Sequence, residues 1–151
     1  MKKTNNKGFS LVELIVVIAI MAVLMVVLGP QLLRNVEKAR IQRDNTAISE
    51  IANAAKIAMA DETVNGTLAN GASVPIQASG GTFTFTAGTG TLQGELNLTL
   101  GASVSLSSSV YKNAAAADQP GITVAKDATG NVKVTSLNLF EQDGKTALSI
   151  T

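Results

Sequence analysis

The chain has 151 residues with twelve basic and eleven acidic side chains, and it contains neither cysteine nor histidine. Without cysteine it has no disulfide and no thiol site. Without histidine it lacks the commonest metal ligand and the usual general base. The net charge of +1 shows no basic bias of the kind that nucleic-acid binding requires. The composition therefore argues against catalysis, a bound metal or other cofactor, and a nucleic-acid partner.

An apolar run lies close to the N-terminus. Fifteen consecutive residues from Leu14 to Leu28 lack a polar side chain, and counted from Leu11 the run has eighteen residues with Glu13 as its single interruption. An α-helix needs ~20 apolar residues to cross the hydrocarbon core of a bilayer. The run therefore predicts one membrane-spanning helix.

The residues that precede this run form a pattern. A short leader with three lysines ends in Gly8 and is followed by Phe9-Ser10-Leu11-Val12-Glu13 and the apolar run. Over residues 2–30 the chain resembles a type IV prepilin. The resemblance implies that a prepilin peptidase cuts between Gly8 and Phe9 and methylates the new amino terminus at Phe9.

Glu13 is an acidic side chain in a segment predicted to enter a membrane. An ionised side chain at mid-bilayer costs at least ~2.5 to 3.5 kcal/mol. Glu13 lies four residues after Phe9, and residues with this spacing share one face of a helix. The resemblance implies that the Glu13 carboxylate pairs with the Phe9 ammonium of a neighbouring subunit during filament assembly. The alternative is a glutamate near the membrane surface that reaches water.

Two other interpretations of the apolar run stay open. A secretory signal peptide also has a basic start and an apolar core, but it ends in a small-residue cleavage site, which residues 26–30 do not offer. A plain membrane anchor is the second alternative. Basic residues lie on both sides of the run, so they do not fix its orientation. The cytoplasmic placement of the leader is therefore implied by the resemblance.

Gly29 and Pro30 follow the run and are predicted to kink the helix. Proline in a helix interior removes one backbone hydrogen bond and clashes with the preceding turn. The helical pattern resumes directly after Pro30, which favours a kink over a helix end. The resemblance implies a local loss of helicity at these two residues in a filament.

From Gln31 to about Glu62 the sequence predicts an amphipathic helix that continues the apolar one. Its apolar residues recur mostly at spacings of three and four; they are Val36, Ile41, Ile48, Ile51, Ala52, Ala55, Ala58 and Met59. Two exposed ion pairs are predicted on its surface, one between Glu37 and Arg40 and one between Arg40 and Asp44.

After residue 62 a turn-rich linker begins at Asn65-Gly66, and the hydrophobic period then changes to two. The alternating segments predict strands at Thr82–Thr86, Glu95–Leu100, Val104–Leu106, Ile122–Val124, Val132–Val134, Leu137–Leu139 and Leu148–Ile150. Turn residues predict one hairpin at 127–131 and a second around Asp143-Gly144. Long surface loops are expected at Ala87–Gly94 and Ser107–Gly121. Strands that are polar on one side fit an antiparallel sheet whose apolar face packs on a helix.

The predicted fold is α+β, a long N-terminal helix packed against a C-terminal antiparallel sheet. The predicted parts are a leader (1–8), a membrane and filament-core helix (9–30), an amphipathic helix (31–62) and a β-rich domain with loops (63–151). Four acidic residues could supply oxygen ligands for calcium: Asp118, Asp127, Glu141 and Asp143. Their spacing matches no calcium-binding loop, and acidic residues are common in turns, so we predict no metal site.

The resemblance implies a structural subunit that is stored in the cytoplasmic membrane and polymerises into an extracellular type IV pilus used in motility, adhesion or attachment. Its expected partners are other copies of the chain, the prepilin peptidase and the pilus assembly machinery. One alternative is a pseudopilin of a type II secretion or competence system, and another is a monomeric membrane-anchored binding module. The lack of cysteine departs from the many family members that clamp the C-terminal region with a disulfide.

Overall fold

The computed structural model describes residues 9–141 and the backbone of residues 147–150. The chain divides into two compact units at the boundary between Val36 and Glu37. The first helix, α1, comprises Leu11–Ala58 and so contributes residues to both units.

The first unit consists of the N-terminal part of α1. One 18-residue window of this helix has a mean hydropathy of 3.2 and no buried residue, so the helix is long and apolar enough to cross a membrane. Hydrogen bonding inside a helix satisfies the backbone without water, which is the condition for spanning a bilayer. The helix runs unbroken through Gly29 and Pro30, and a kink at these residues stays a prediction.

In the second unit α1 buries one face. The predicted apolar face is confirmed from Ile41 to Met59, whereas Val36 is exposed. The helix ends at Ala58 instead of continuing to residue 62, because the Asp61 carboxylate accepts the Thr63 N–H at 2.8 Å and caps a new helix. This helix, α2, spans Glu62–Thr67 and contains the residues that were predicted to open a linker.

The described residues in the rest of the second unit form six strands and several short helices. In chain order they are β1 (Ser73–Gln77), β2 (Thr82–Thr84), α3 (Leu92–Leu100), β3 (Ser103–Ser105), α4 (Ser109–Lys112), a 3₁₀ turn (Ala116–Asp118), β4 (Gly121–Lys126), β5 (Val132–Phe140) and β6 (Ala147–Ile150). Four strands form a sheet in the order β1-β4-β5-β6, and β2 pairs with β3. Every pairing is antiparallel. The predicted α+β fold is confirmed.

Both predicted strand pairings near the C-terminus are confirmed. In β4 and β5, Val124 lies opposite Val134, and in β5 and β6, Leu139 lies opposite Leu148. The turn predicted around Asp143-Gly144 lies outside the described residues. The alternation in Thr82–Thr86 is also confirmed, since Phe83 and Phe85 are both buried.

The strand predicted at Glu95–Leu100 is wrong, because these residues belong to α3. The Thr91 hydroxyl accepts the Gly94 N–H at 3.1 Å and caps the start of the helix. Gly101, with a φ of 88°, ends it. Leu92 and Leu96 are buried while Leu98 is exposed, as expected for a helix in which residues four apart share a face.

The loop predicted at Ser107–Gly121 is also wrong in part, because it contains α4 and the fully buried side chain of Tyr111. Strand β1 is not among the predicted strands, because it contains Pro75 and lies in the region predicted as a turn-rich linker. This strand forms an edge of the four-stranded sheet, a position in which proline is tolerated because one side of the strand needs no partner.

Candidate assembly site at the start of the apolar helix

The residues before α1 form a helix cap. The Ser10 carbonyl accepts the Leu14 N–H at 3.2 Å, and the Ser10 N–H donates to Glu13 Oε2 at 3.0 Å. Ser10 therefore occupies the N-cap position, and Glu13 is the third residue of the helix. A serine followed three residues later by a glutamate is the sequence of a capping box, in which the glutamate satisfies the amide of the cap residue.

This geometry corrects the argument that Phe9 and Glu13 share one helix face. Phe9 precedes the cap, so it lies outside the helix, and its side chain is 87% exposed. The Glu13 carboxylate is held instead against the amide of Ser10, the residue next to Phe9. The pattern Ser10-x-x-Glu13 was present in the sequence and could have predicted this cap.

Glu13 lies in the first turn of α1. The first turn of a helix carries unpaired N–H groups and the positive end of the helix dipole, so a carboxylate is stabilised there. Among the described residues, the Ser10 amide is the only hydrogen-bond partner of Glu13, and no cation forms an ion pair with it. The carboxylate therefore retains lone pairs for a further donor.

A second group of acidic residues binds the backbone of a distant segment. The carboxylate of Asp44 is 2% exposed and accepts the Ser107 N–H at 2.9 Å and the Ser108 N–H at 2.7 Å. The predicted exposed pair between Arg40 and Asp44 is therefore wrong, because the backbone amides bind this carboxylate inside the protein. The segment 107–109 is in this way fixed to α1.

Glu37 binds the same segment one residue further along. Its Oε1 accepts the hydroxyl and the backbone N–H of Ser109, both at 2.6 Å, and these hydrogen bonds lower the pKa of the Glu37 carboxyl. Arg40 lies 3.5 Å from Glu37 Oε2, which confirms the predicted pair. Both contacts favour the charged form of Glu37.

Tyr111, which the sequence analysis did not single out, connects the same segment to α1 and β5. Its hydroxyl donates to Asn45 Oδ1 and accepts the Phe140 N–H at 2.9 Å. Its ring packs against that of Phe140 with centroids 5.3 Å apart. Burial raises the pKa of this hydroxyl. These contacts hold the second unit together and do not form a catalytic arrangement of nucleophile and base.

Within residues 9–141, no cluster of three or more His, Cys, Asp or Glu side chains is placed to hold a metal ion. Asp127 instead closes the β4–β5 turn, where its Oδ1 accepts the Thr129 N–H and the Asn131 N–H, both at 2.8 Å. These contacts to Thr129 and Asn131 lower the pKa of Asp127 to about 2. The side chain thus stabilises the turn.

Comparison with protein families identifies the N-terminal segment. Residues 3–29 match the family described as the prokaryotic N-terminal methylation motif. This range includes most of the leader, Phe9, the Ser10–Glu13 cap and the apolar run. Searches of curated proteins and of solved structures gave no significant match. The chain therefore carries the prepilin-type signal of type IV pilins, and that signal implies processing by a prepilin peptidase and membrane anchoring before assembly.

Proposed function

We propose that this chain is a structural pilin that is cleaved between Gly8 and Phe9, methylated at Phe9 and polymerised into an extracellular type IV pilus. The observation that carries this proposal is the methylation motif at residues 3–29, which includes the start of helix α1 and its exposed apolar side chains.

The exposed apolar surface of α1 supports storage in a membrane followed by assembly. Large side chains from Leu11 to Leu33 are exposed in the single subunit, and apolar patches of this size mark contacts with lipid or protein. A bilayer covers such a surface in the stored subunit, and a bundle of identical helices covers it in the filament.

Glu13 gives the bundle its register. After cleavage, Phe9 has an α-ammonium, and N-methylation keeps its positive charge. Two unit charges 4 Å apart attract by ~4 kcal/mol at an effective dielectric of 20, before the cost of desolvation. Because this cost offsets much of the attraction, the pair of Glu13 with a neighbouring Phe9 acts mainly by penalising wrong alignments.

A pseudopilin of a type II secretion or competence system is a second candidate, because it uses the same signal. The β-rich second unit does not favour one role over the other. Deletion of the chain distinguishes them: a pilin deletion removes surface filaments, whereas a pseudopilin deletion impairs cargo secretion or DNA uptake. A surface filament composed mainly of this chain supports the proposed function.

N-terminal mass spectrometry of sheared surface material tests the processing step. The expected chain begins at methylated Phe9. An intact Met1, or a cut beyond Pro30, overturns the proposal. Gly8→Val is expected to block cleavage, because its side chain collides in a protease subsite built for glycine. Gly29→Val is the matched control, since a Cβ there contacts nothing within 4 Å, and it is expected to be cleaved normally.

A further inference from the structure

The second unit contains a cavity of about 180 Å³ that runs from its surface into its core. Residues at the end of α1, in α2, in β1 and at the start of α3 line it. Met59, Leu68 and Leu92 form its buried part, whereas the lining residues Thr67 and Thr91 are exposed. The inner lining is therefore apolar, and the opening lies beside two hydroxyl side chains.

One polar side chain of the lining has an oxygen without a partner. Among the described residues, two buried side-chain oxygens accept no hydrogen bond, Asn65 Oδ1 and Gln93 Oε1, and Gln93 lines the cavity. A buried acceptor without a donor destabilises a protein, because it has lost its hydrogen bonds to water and gained none in return. A molecule that brings an N–H or O–H group to Gln93 Oε1 removes this cost.

Water is a poor occupant of this cavity. A buried water typically makes about three hydrogen bonds, and the lining offers few groups for them. The Thr67 hydroxyl donates to the Val64 carbonyl at 2.7 Å, and the Thr91 hydroxyl accepts the Gly94 N–H at 3.1 Å, so both already have partners within the protein. An apolar molecule with a single donor fits better, because the donor meets Gln93 and the remaining surface meets apolar side chains.

The size of the cavity and the sulfur of Met59 favour an aromatic ring. A dry apolar cavity of ~150 Å³ in a protein binds benzene, so this cavity is large enough for a ring of that kind. A thioether makes favourable contacts with aromatic rings. A second copy of the chain has no suitable side chain to insert, since the sequence contains no tryptophan and its one tyrosine, Tyr111, is fully buried. The occupant is therefore a separate small molecule.

We propose that this cavity binds a small aromatic molecule with one N–H or O–H donor, the chemistry of indole. The donor binds Gln93 Oε1, and the ring packs against Met59, Leu68 and Leu92. The site lies outside the methylation motif at residues 3–29, so the inference does not depend on the proposed function. Because the ligand contacts residues of several elements only when they are folded together, its binding stabilises the second unit.

Methyl NMR of the full-length chain in lipid nanodiscs tests the site, with indole as the probe. Met59 is the one methionine after residue 36, whereas Met21 and Met25 lie in the apolar part of α1. The methyl signals therefore separate binding in the cavity from uptake of indole into lipid. Indole is expected to shift the Met59 signal along a saturable curve that Met21 and Met25 do not follow. A Met59 signal that stays unchanged, or that follows the other two, overturns the inference.

Benzofuran is the matched probe for the hydrogen bond, since it has the shape of indole with an oxygen in place of the N–H group. It is expected to bind about three to ten times more weakly, which corresponds to the net value of one hydrogen bond. Gln93→Leu should weaken indole binding by a similar factor and leave benzofuran binding unchanged. Equal binding of the two probes by the wild-type chain, or unchanged indole binding by Gln93→Leu, contradicts the role given to Gln93.

Filling the cavity gives an independent test. Val74 lines it from β1 and is half-buried, so Val74→Phe is expected to abolish the saturable shift. Ser73→Phe is the matched control, because it adds a ring at an exposed position next to Val74 and should bind indole as the wild type does. If Val74→Phe fails to unfold cooperatively, Thr67→Trp replaces it and covers the opening from an exposed position. Saturable indole binding by the folded blocking variant overturns the site.

Discussion

The carboxylate of Asp44 accepts the backbone N–H of Ser108 at 2.7 Å, although the two residues are 64 positions apart in the chain. Both groups are buried. Ser108 is the N-cap of α4, so the contact fixes the start of that helix to α1. A buried carboxylate is tolerated here because charge-assisted hydrogen bonds from the amides replace water.

Asp44→Ala is expected to destabilise the second unit, because it leaves the amides of Ser107 and Ser108 without an acceptor. A buried donor without a partner costs about 1 to 3 kcal/mol. Urea unfolding, followed by circular dichroism on a chain shortened to begin at Gln31, measures the loss. Glu62→Ala is the matched control at an exposed position, and equal unfolding midpoints for both variants would contradict the role given to Asp44.

Asp127 is expected to make stability depend on pH in the acid range. The contacts with Thr129 and Asn131 hold its folded pKa at about 2, below the ordinary value of 3.8. Its contribution is therefore fully present above pH 4 and is lost as the pH falls toward 2. Asp127→Asn lacks this ionisation, so the difference in unfolding free energy between wild type and variant should shrink over that range. A difference that stays constant from pH 4 to pH 2 contradicts the assignment.

Gly94→Ala is expected to disrupt the start of α3. A Cβ at residue 94 would lie 1.6 Å from the carbonyl oxygen of Gly88, and a backbone atom cannot rotate away as a flexible side chain can. Gly66→Ala is the matched control, since its Cβ meets nothing within 4 Å and the residue lies in helix α2. Alanine there is expected to be neutral or to stabilise by about 0.5 to 1 kcal/mol. Thermal unfolding of both variants compares them, and equal melting temperatures would show that Gly88 moves freely.

Hydrophobic periodicity correctly predicted the segments whose apolar residues fit only one type of secondary structure. The buried pair Phe83 and Phe85 and the β4–β5 hairpin are examples. Residues 95–100 could not be assigned in this way, because leucines at 96, 98 and 100 fit a strand while those at 92, 96 and 100 fit a helix. The cap formed by Thr91 decides in favour of the helix.

Long-range polar contacts explain why other features were missed. Asp44 has a helical sequence neighbour of opposite charge, so an exposed pair was the obvious prediction, and only the fold brings the amides of Ser107 and Ser108 to it. Tyr111 is likewise uninformative in sequence, since no periodic pattern surrounds it. At the candidate assembly site, the roles of Phe9 and Glu13 in assembly stay predictions, whereas local spacing alone is enough to predict the cap between Ser10 and Glu13.

The second unit is expected to need its part of α1 in order to fold. Four residues of α1 and its C-terminal extension belong to the same core cluster as the sheet: Ile48, Ile51, Ala55 and Met59. A chain that begins at Gln31 should be folded and monomeric, whereas one that begins at Asn65 should be insoluble or lack cooperative unfolding. Chemical denaturation of both chains checks this, and cooperative unfolding of the shorter chain would disprove the dependence.

Glu13 has one structural role and one proposed role, and substitutions can separate them. As part of the capping box it accepts the Ser10 amide, and in a filament its charge is proposed to pair with the Phe9 ammonium of a neighbour. Glu13→Gln keeps an acceptor for the cap, because glutamine also forms capping boxes, but it removes the charge. Glu13→Ala removes both, and Ser10→Ala alters the cap while leaving the carboxylate in place.

If charge pairing governs assembly, Glu13→Gln and Glu13→Ala should both lose most filaments while cleavage and membrane insertion persist. Removing one partner of a buried ion pair costs ~3 to 5 kcal/mol, since the surviving Phe9 ammonium remains buried without a counter-charge. Ser10→Ala should then assemble almost normally. The ratio of sheared filament to membrane-pool subunit measures each variant. Normal assembly of Glu13→Gln would refute the registry role and leave the cap as the function of Glu13. Membrane insertion alone cannot reveal the role of the charge, because an apolar helix that loses a charge still anchors in the membrane.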